Sequence, residues 1–509
     1  MTHLSRRSFL GLGAALGGAT LLAACGDGTA GPGTGGAGGT LKWGWALTTS
    51  WDPVTSSAGW DVHVLSLVYA GLTKLDERGN AVPALATGWK YNADGTEVTF
   101  TLRPGLTFSD GTALDATAVR KSLERGRDFP KSLVGPQLVN VREIAAPDAT
   151  TVTLRLAAPD FQIPNLLAGK TGMIVSPAAF EADAAALATR PVGAGPFTLT
   201  SYTQNAKAVL ARNPAYWDAA SIKLERFEAY PLPEAATVVA ALQSGQYDVA
   251  QIPGSQVEAA KAAGLTVQVI PSLVVAVLDV NIAKKPFDDP KVAEALRYAV
   301  DRAALLKTAQ FGHGEVAYQP FPKGYAGYNP ALEGVYAHNP EKARQLLAES
   351  TYGGAPVDVV ITTSAAAGVP EQLQSQLQAA GFRPTIEVIP AAQATQLVYV
   401  QHSRALFVDQ FAGRDAAVQA FQVLFGKEGL MNPGRVQPPE LADALARVSR
   451  TPLDDPAYPT VLQEATAVAV RGMSNVFLYT VPRILARRAN VSAIPEYTVV
   501  QRFEGVSVA

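Results

Sequence analysis

The sequence predicts an α/β protein, on three observations. Leu273 to Val280 is a run rich in valine, the pattern of a buried strand, and two capped helical segments follow it directly. From Asn339 to Ile389 the pattern alternates helix, strand, helix, strand, as in an α/β layer. Before both, Glu234 to Leu242 reads as a helix, Gly245 stops it, and Tyr247 to Ala250 starts a strand. That earlier unit completes the sheet of one lobe, and the later units build a second. At 509 residues the chain has room for about three domain-sized units. With 48% hydrophobic and 17% charged residues it can bury a large core. The net charge of −2 and the absence of a basic run argue against a nucleic-acid partner.

Residues 1–24 read as an export leader. Ser5-Arg6-Arg7-Ser8-Phe9-Leu10 fits the twin-arginine pattern. The weakly apolar run from Leu10 to Ala24 is too short to span a bilayer, which takes about 20 residues, and it contains four glycines. Leu22-Ala23-Ala24-Cys25-Gly26 resembles a lipobox, so Cys25, the only cysteine, is the expected lipidation site. Two or more acyl chains there would anchor the mature N-terminus to the membrane. Residues 25–39 form a glycine-rich tether. Its formal G-x-G-x-x-G at Gly33 to Gly38 has no strand before it and no helix after it, so it cannot aim amides at a pyrophosphate.

Leu41, Trp43, Trp45 and Leu47 alternate with smaller or polar residues, giving a strand with an aromatic face directed at the core. The loop after it carries Trp51-Asp52-Pro53 and then Trp60. Val62 to Ala70 is amphipathic and reads as helix. Asp94-Gly95 and Asp110-Gly111 are hairpin-type turns around a strand at Val98 to Leu102. Asp115 caps a helix from about Ala116 to Arg127. Val152 to Leu156 alternates as a strand, and Ala178 to Ala188 is alanine-rich and helical. The glycines of Pro191-Val192-Gly193-Ala194-Gly195-Pro196-Phe197 are expected to adopt positive φ.

Further on, Asp289 precedes Pro290 as a cap, with Val292, Ala295, Leu296, Ala299 and Val300 at helical spacing. Asp301 caps the next helix, with Ala304, Leu305 and Thr308 on its inner face and Gly312 as its stop. Asn339-Pro340 caps a helix with Ala343, Leu346 and Leu347 inward. Strands follow at Val357 to Ile361, Thr385 to Ile389, Leu406 to Val408 and Val476 to Val481. Glu371 to Ala380, stopped by Gly381, is the helix between the first two of these. The chain then returns to the first lobe.

Several of these blocks together resemble one family. Pro83-Ala84-Leu85-Ala86-Thr87-Gly88-Trp89, Asp94-Gly95, Arg103-Pro104-Gly105-Leu106 and Phe108-Ser109-Asp110-Gly111 occur in that order. The Pro191 to Phe197 turn and Arg212-Asn213-Pro214-Ala215-Tyr216-Trp217 follow. Asn281, Pro286-Phe287-Asp288-Asp289 and the Ala295 to Arg302 helix junction complete the set. Ala194 and Phe197 stand where threonine and tyrosine are usual. The pattern, from about Leu41 to Val481, resembles solute-binding protein family 5, the peptide- and nickel-type binding proteins of bacterial ABC importers.

The resemblance implies a periplasmic-binding-protein-like fold of the class II or cluster C type, two-lobed, with an extra subdomain in the first lobe. Lobe I would comprise 40–75, 190–270 and 470–509, the subdomain 76–189 and lobe II 271–469. It also implies a monomeric extracytoplasmic lipoprotein without catalytic activity, which delivers a ligand to a membrane permease. A peptide is the first expectation for the ligand. An oligosaccharide, an opine, a nickel chelate or a signalling role on the same fold is the alternative.

The residues themselves offer no enzyme signature. The five histidines form no i, i+4 pair, and there is no P-loop, no G-x-S-x-G elbow and no thiol for a zinc site, so neither cofactor nor metal is expected. A binding protein needs a cleft, a hinge and polar groups that reward the ligand. Trp51 and Trp60 are candidates to stack on a ligand, with plain packing as the alternative. In oligopeptide-binding relatives, a tryptophan followed closely by an aspartate meets the peptide ammonium group. Here Phe411 stands near the tryptophan position, Arg414 at the aspartate position, and Asp415 beside it. Arg414 in the cleft would grip a carboxylate in bidentate fashion, whereas Asp415 there would serve an ammonium group. Solvated rim charges are the third reading. Arg404 and Asp409 are further candidates on the same grounds.

Overall fold

The computed structural model describes residues 38–364, 368–414 and 416–509. It contains two large sheets, one per lobe, a four-stranded sheet and a two-stranded one, Thr73–Leu75 with Ala81–Pro83. The first large sheet has seven strands in the spatial order Thr266–Ile270, Arg483–Arg487, Val249–Gln251, Thr40–Gly44, Arg226–Tyr230, Lys207–Arg212 and Phe197–Thr203. Thr40–Gly44 runs parallel to both neighbours, while the outer strands pair antiparallel. On one face Trp43, Leu210, Phe227 and Leu485 share a core with Trp45, Val64 and Phe503. Trp43 and Trp45 stack with ring centroids 5.4 Å apart, so the aromatic face of this strand is core, as its alternation predicts.

The four-stranded antiparallel sheet follows the order Ala86–Tyr91, Glu97–Leu102, Thr151–Leu156, Val141–Ala145. The Asp94-Gly95 turn joins the first two strands, with Gly95 at φ 71°. Helix Ala116–Asp128 covers this sheet, and its cap Asp115 accepts from the Ala118 amide at 2.8 Å.

The second large sheet runs Phe382–Val388, Val357–Thr363, Leu406–Phe411, Val275–Val280, Val476–Thr480. Val275–Val280 is buried along its whole length and explains the near-continuous apolar run. Val275 and Val277 face one core with Phe407, Phe411, Phe421 and Phe425. Ala276, Leu278 and Val280 face another, against helices Pro290–Ala299 and Val369–Ala379. Asp279 alone breaks the apolar sequence of this strand.

Local chemistry changes several expectations. Helix Arg302–Gln310 ends on Phe311, which takes the left-handed conformation (φ 54°) one residue before Gly312, and Thr308 is exposed. Gly193 and Gly195 do not adopt positive φ. They are glycines because a Cβ on Gly193 would lie 2.4 Å from the Val68 carbonyl oxygen, and one on Gly195 would lie 2.4 Å from the Val68 carbonyl carbon. The helix expected over Val62 to Ala70 is confined to Asp61–Leu65, because Leu67, Val68 and Tyr69 turn into the core. The strand begun at Leu406 extends to Phe411. Val476–Thr480 pairs with Val275–Val280, so this stretch of the segment expected for lobe I belongs to the second sheet. The chain re-enters the first sheet only at Arg483.

Two segments connect the large sheets, 271–274 and 481–482, and they run side by side. The Val481 amide donates to the Val274 carbonyl at 2.8 Å, and the Ser272 hydroxyl donates to the Val481 carbonyl at 2.6 Å. A paired crossing of this kind is a natural hinge between lobes. No helix among the described residues is long and apolar enough to cross a membrane.

Candidate functional site at the lobe junction

Two turns of the second lobe dock on these connecting segments. The Gly413 amide donates to the Leu273 carbonyl at 3.0 Å. A Cβ on Gly413 would stand 2.1 Å from Leu273 Cβ, so only glycine lets the Ala412 to Arg414 turn come so close. At the strand end that leads into the other segment, Thr480 donates its amide to the Glu315 carbonyl at 2.8 Å, and its hydroxyl accepts from the Glu315 amide at 2.9 Å. Gly314, at φ 107°, lies where a Cβ would be 2.5 Å from the Thr480 carbonyl.

Beside this contact opens a cavity of about 460 Å³. Its lining includes Thr480, Glu315, Tyr318, Phe321, Lys323 and Tyr328. That volume lies within the usual range for small-ligand sites, about 300–1,000 Å³. Lys323 pairs with Glu333 at 2.9 Å, and the Tyr328 hydroxyl donates to the same carboxylate. The Tyr328 hydrogen bond, then the one from Lys323, holds the Glu333 carboxyl below its ordinary range. Tyr318 is backed by the buried Arg302 guanidinium, 4.7 Å from its ring centroid, which itself donates to the Phe477 carbonyl at 2.7 Å. The wall therefore carries both signs of charge next to two aromatic rings.

In the first lobe, the loop bearing Trp60 is tied down by buried charge. Asp61 accepts from the Thr49 amide at 3.1 Å, the Ser56 hydroxyl at 2.6 Å and the Ala58 amide at 3.2 Å, and also from the Thr49 hydroxyl. Lys170 donates to the Ser56 carbonyl at 2.7 Å. Asp52 and Arg125 form a buried two-pronged pair at 3.0 and 2.6 Å. The loop thus holds Trp60 on a fixed backbone, with the residue 56% exposed.

The candidate residues separate into several environments. Trp51 lies inside the first-lobe core, with Tyr202 edge-on at 5.7 Å, while Trp60 lies at the surface. Arg404 is held by Glu387 through two contacts of 2.7 Å. Phe411 is fully buried opposite Val275 in the second sheet. Arg414 folds back on its own turn, donating to the Ala412 and Gly413 carbonyls, with its guanidinium 5.3 Å from the Phe411 ring centroid. Asp409 is half-buried on the sheet, where it meets the Tyr399 hydroxyl. The structure thus gathers Asp409, Phe411 and Arg414 at one end of a strand and sets the two tryptophans in the other lobe. Asp415 and Cys25 lie outside the described residues.

The cavity wall around Glu315 and Tyr318, and the group Asp279, Tyr399 and Asn475, escaped the sequence reading. Asp279 was detectable in principle, as the one acid inside an otherwise apolar strand. Glu315 was not, since nothing local distinguishes it from a solvated loop acid.

Residues 80–429 match the model of the bacterial extracellular solute-binding proteins, family 5 middle. The glutathione-binding protein GsiB of Shigella dysenteriae serotype 1 is 30% identical over 435 residues, spanning 82% of this chain and 84% of its own. Among solved structures, the Helicobacter pylori periplasmic binding protein DppA with the peptide STSA superposes with a TM-score of 0.81 at 22% identity, covering 92% of this chain and 98% of that one. AgaA of A. tumefaciens R10 with agropinic acid gives 0.79 at 24% identity, covering 92% and 99%.

Proposed function

The chain belongs to family 5 of the bacterial extracellular solute-binding proteins, the ligand-capturing components of ABC importers, and from that premise we propose that its ligand is a short peptide of about glutathione size. The observation that carries this reading is the 460 Å³ cavity beside the connecting segments. Glu315 lines it and can take the ammonium group of a zwitterion, while the ligand carboxylate reaches Lys323 in competition with Glu333, which lines the cavity too. Tyr318 and Phe321 supply apolar surface between them. The 30% identity to a glutathione-binding protein supports the same size class.

Anchoring forms the second part of the reading. The twin-arginine pattern and the Leu22 to Gly26 lipobox support export and lipidation at Cys25. A monomer tethered by residues 25–39 would then present its ligand to the permease.

The test is mass spectrometry of what co-purifies with a soluble form starting at Gly26, followed by thermal shift. A ligand at 100 times its dissociation constant adds ~2.7 kcal/mol of stability. Short peptides that lose affinity in both Glu315→Gln and Lys323→Met carry the reading. A co-purifying glycan or nickel chelate, or peptide affinity indifferent to both substitutions, overturns it. Membrane association that persists in Cys25→Ser overturns the anchor.

A further inference from the structure

Beneath the second sheet, one tyrosine hydroxyl meets two carboxyl groups. Tyr399 Oη lies 2.5 Å from Asp279 Oδ2 and 2.6 Å from Asp409 Oδ2. The other oxygens are already engaged. Asp279 Oδ1 accepts from Asn475 Nδ2 at 2.8 Å, and Asp409 Oδ1 accepts from the Gln410 amide at 2.7 Å. A hydroxyl has one hydrogen and can donate it once. The second short oxygen–oxygen contact needs a hydrogen of its own, so one of the two acids is protonated.

The surroundings leave no other way to balance the charge. Among the described residues, no lysine, arginine or histidine is hydrogen-bonded to either carboxyl. Arg435 is engaged elsewhere, donating to the Tyr399 carbonyl at 3.2 Å and the Gly429 carbonyl at 3.0 Å, and lies 3.4 Å from His402. Arg404 is taken by Glu387. Helix Ala417–Phe425 carries no charged residue. On helix Tyr458–Gly472, Glu464 pairs with Arg447 near the surface and Arg471 is exposed. Burial, then the Asp409 charge, pushes the Asp279 carboxyl up to about 8, and burial raises Asp409 as well.

The two acids occupy strands that adjoin the connecting segment 271–274. Val275–Val280 continues from the connecting segment 271–274, and Leu406–Phe411 leads into the turn docked on Leu273. The acids are diagonal neighbours, since Asp279 faces Phe407 and Val277 faces Asp409. We propose that Asp279, Tyr399 and Asp409 form a proton-held lock that keeps these strands and the Tyr399 segment together and loosens when the shared proton leaves. For the ligand the consequence, which rests on the binding reading above, is weaker capture in alkaline surroundings.

The lock is tested on the ligand-free protein. Infrared spectra of the folded chain should show the carbonyl stretch of a protonated carboxylic acid at neutral pH, fading as the pH passes about 8. In Asp279→Asn the amide supplies a permanent hydrogen and the band is lost. Amide exchange in strands 275–280 and 406–411, corrected for intrinsic rates, should quicken by about tenfold per pH unit between about pH 4 and about 8 in wild type, level off above that, and stay level throughout in the variant. Should Asp279→Asn fail to fold, Asp409→Asn serves instead: its amide supplies the second hydrogen and the neighbouring charge is gone, so the acid band should fade at lower pH than in wild type. Absence of the acid band at pH 7, or strand exchange indifferent to pH in wild type, overturns the lock and leaves the binding reading standing. Failure to find any ligand overturns the binding reading and leaves the lock standing.

Discussion

Asp52 sits between two tryptophans that attract attention as ligand contacts, yet the carboxylate sets the loop. It receives both prongs of Arg125 and also the Val54 amide at 3.1 Å, with side-chain exposures of 3% and 8% for the two charged groups. Removing one partner strands the other charge in the core. Asp52→Asn is expected to cost about 3–5 kcal/mol in denaturant unfolding, the usual penalty for breaking a buried pair. A loss under about 1 kcal/mol would mean that solvent reaches Arg125. The same loop shows why residue type alone does not assign a role. Trp51 and Trp60 are identical in chemistry, but one is sealed against Tyr202 and the other is presented to solvent. The pH behaviour of Asp279 also belongs to this scale. An unfolded chain ionises aspartate near pH ~4, whereas the folded chain keeps this proton to about 8. The contribution of this group to stability is therefore complete below about pH 4 and is lost as the pH rises toward 8. Stability that stays level from pH 5 to 8 when compared with Asp279→Asn would count against this.

At the scale of elements, the helix starts of the second lobe follow their caps. Asp289 accepts from the Lys291 amide at 2.9 Å, Asp301 from the Ala304 amide at 3.0 Å, and Asn339 from the Lys342 amide at 2.9 Å. Asp301→Ala should lower stability by about 1 kcal/mol, read as a lower urea midpoint at unchanged slope. Gln376 holds the Asp301 backbone from both sides, at 2.9 and 3.2 Å, so the helix should still start at the same residue. A changed slope would show that the cap also restrains the fold beyond its own helix. These caps are legible because the donor and acceptor are two or three residues apart. The helix end at Phe311 is not, since its left-handed turn precedes the glycine. Nor are Gly193 and Gly195, whose cause is a contact with Val68, more than a hundred positions away.

At the scale of the whole molecule, the loop that follows the subdomain sheet reaches across to the second lobe. The Phe161 amide donates to the Ser449 carbonyl at 2.8 Å, and the Tyr458 hydroxyl donates to Gln162 Oε1 at 2.9 Å in a buried contact. Opening the lobes must break or stretch these bonds. Tyr458→Phe removes one of them without leaving a hole. A single buried hydrogen bond of about 1 kcal/mol predicts ligand release about fivefold faster by stopped flow, with the association rate little changed. An unaltered release rate would show that this contact persists in the open state.

The sequence by itself determined the α/β class, the near-continuous apolar strand at the centre of the second sheet, the capped helices after it and the family. Each of these is written in local spacing, either as alternation between buried faces or as a side chain bonded a few residues away. Tertiary structure alone decided which tryptophan is exposed, that Arg404 and Arg414 are occupied by Glu387 and by their own turn, and that Glu315 lines a cavity. It also decided that Asp279 and Asp409, 130 positions apart, share one hydroxyl. The reason is physical: ligand-facing surface and buried charge are set by which strands lie side by side, and that pairing joins residues whose separation along the chain carries no periodic signal.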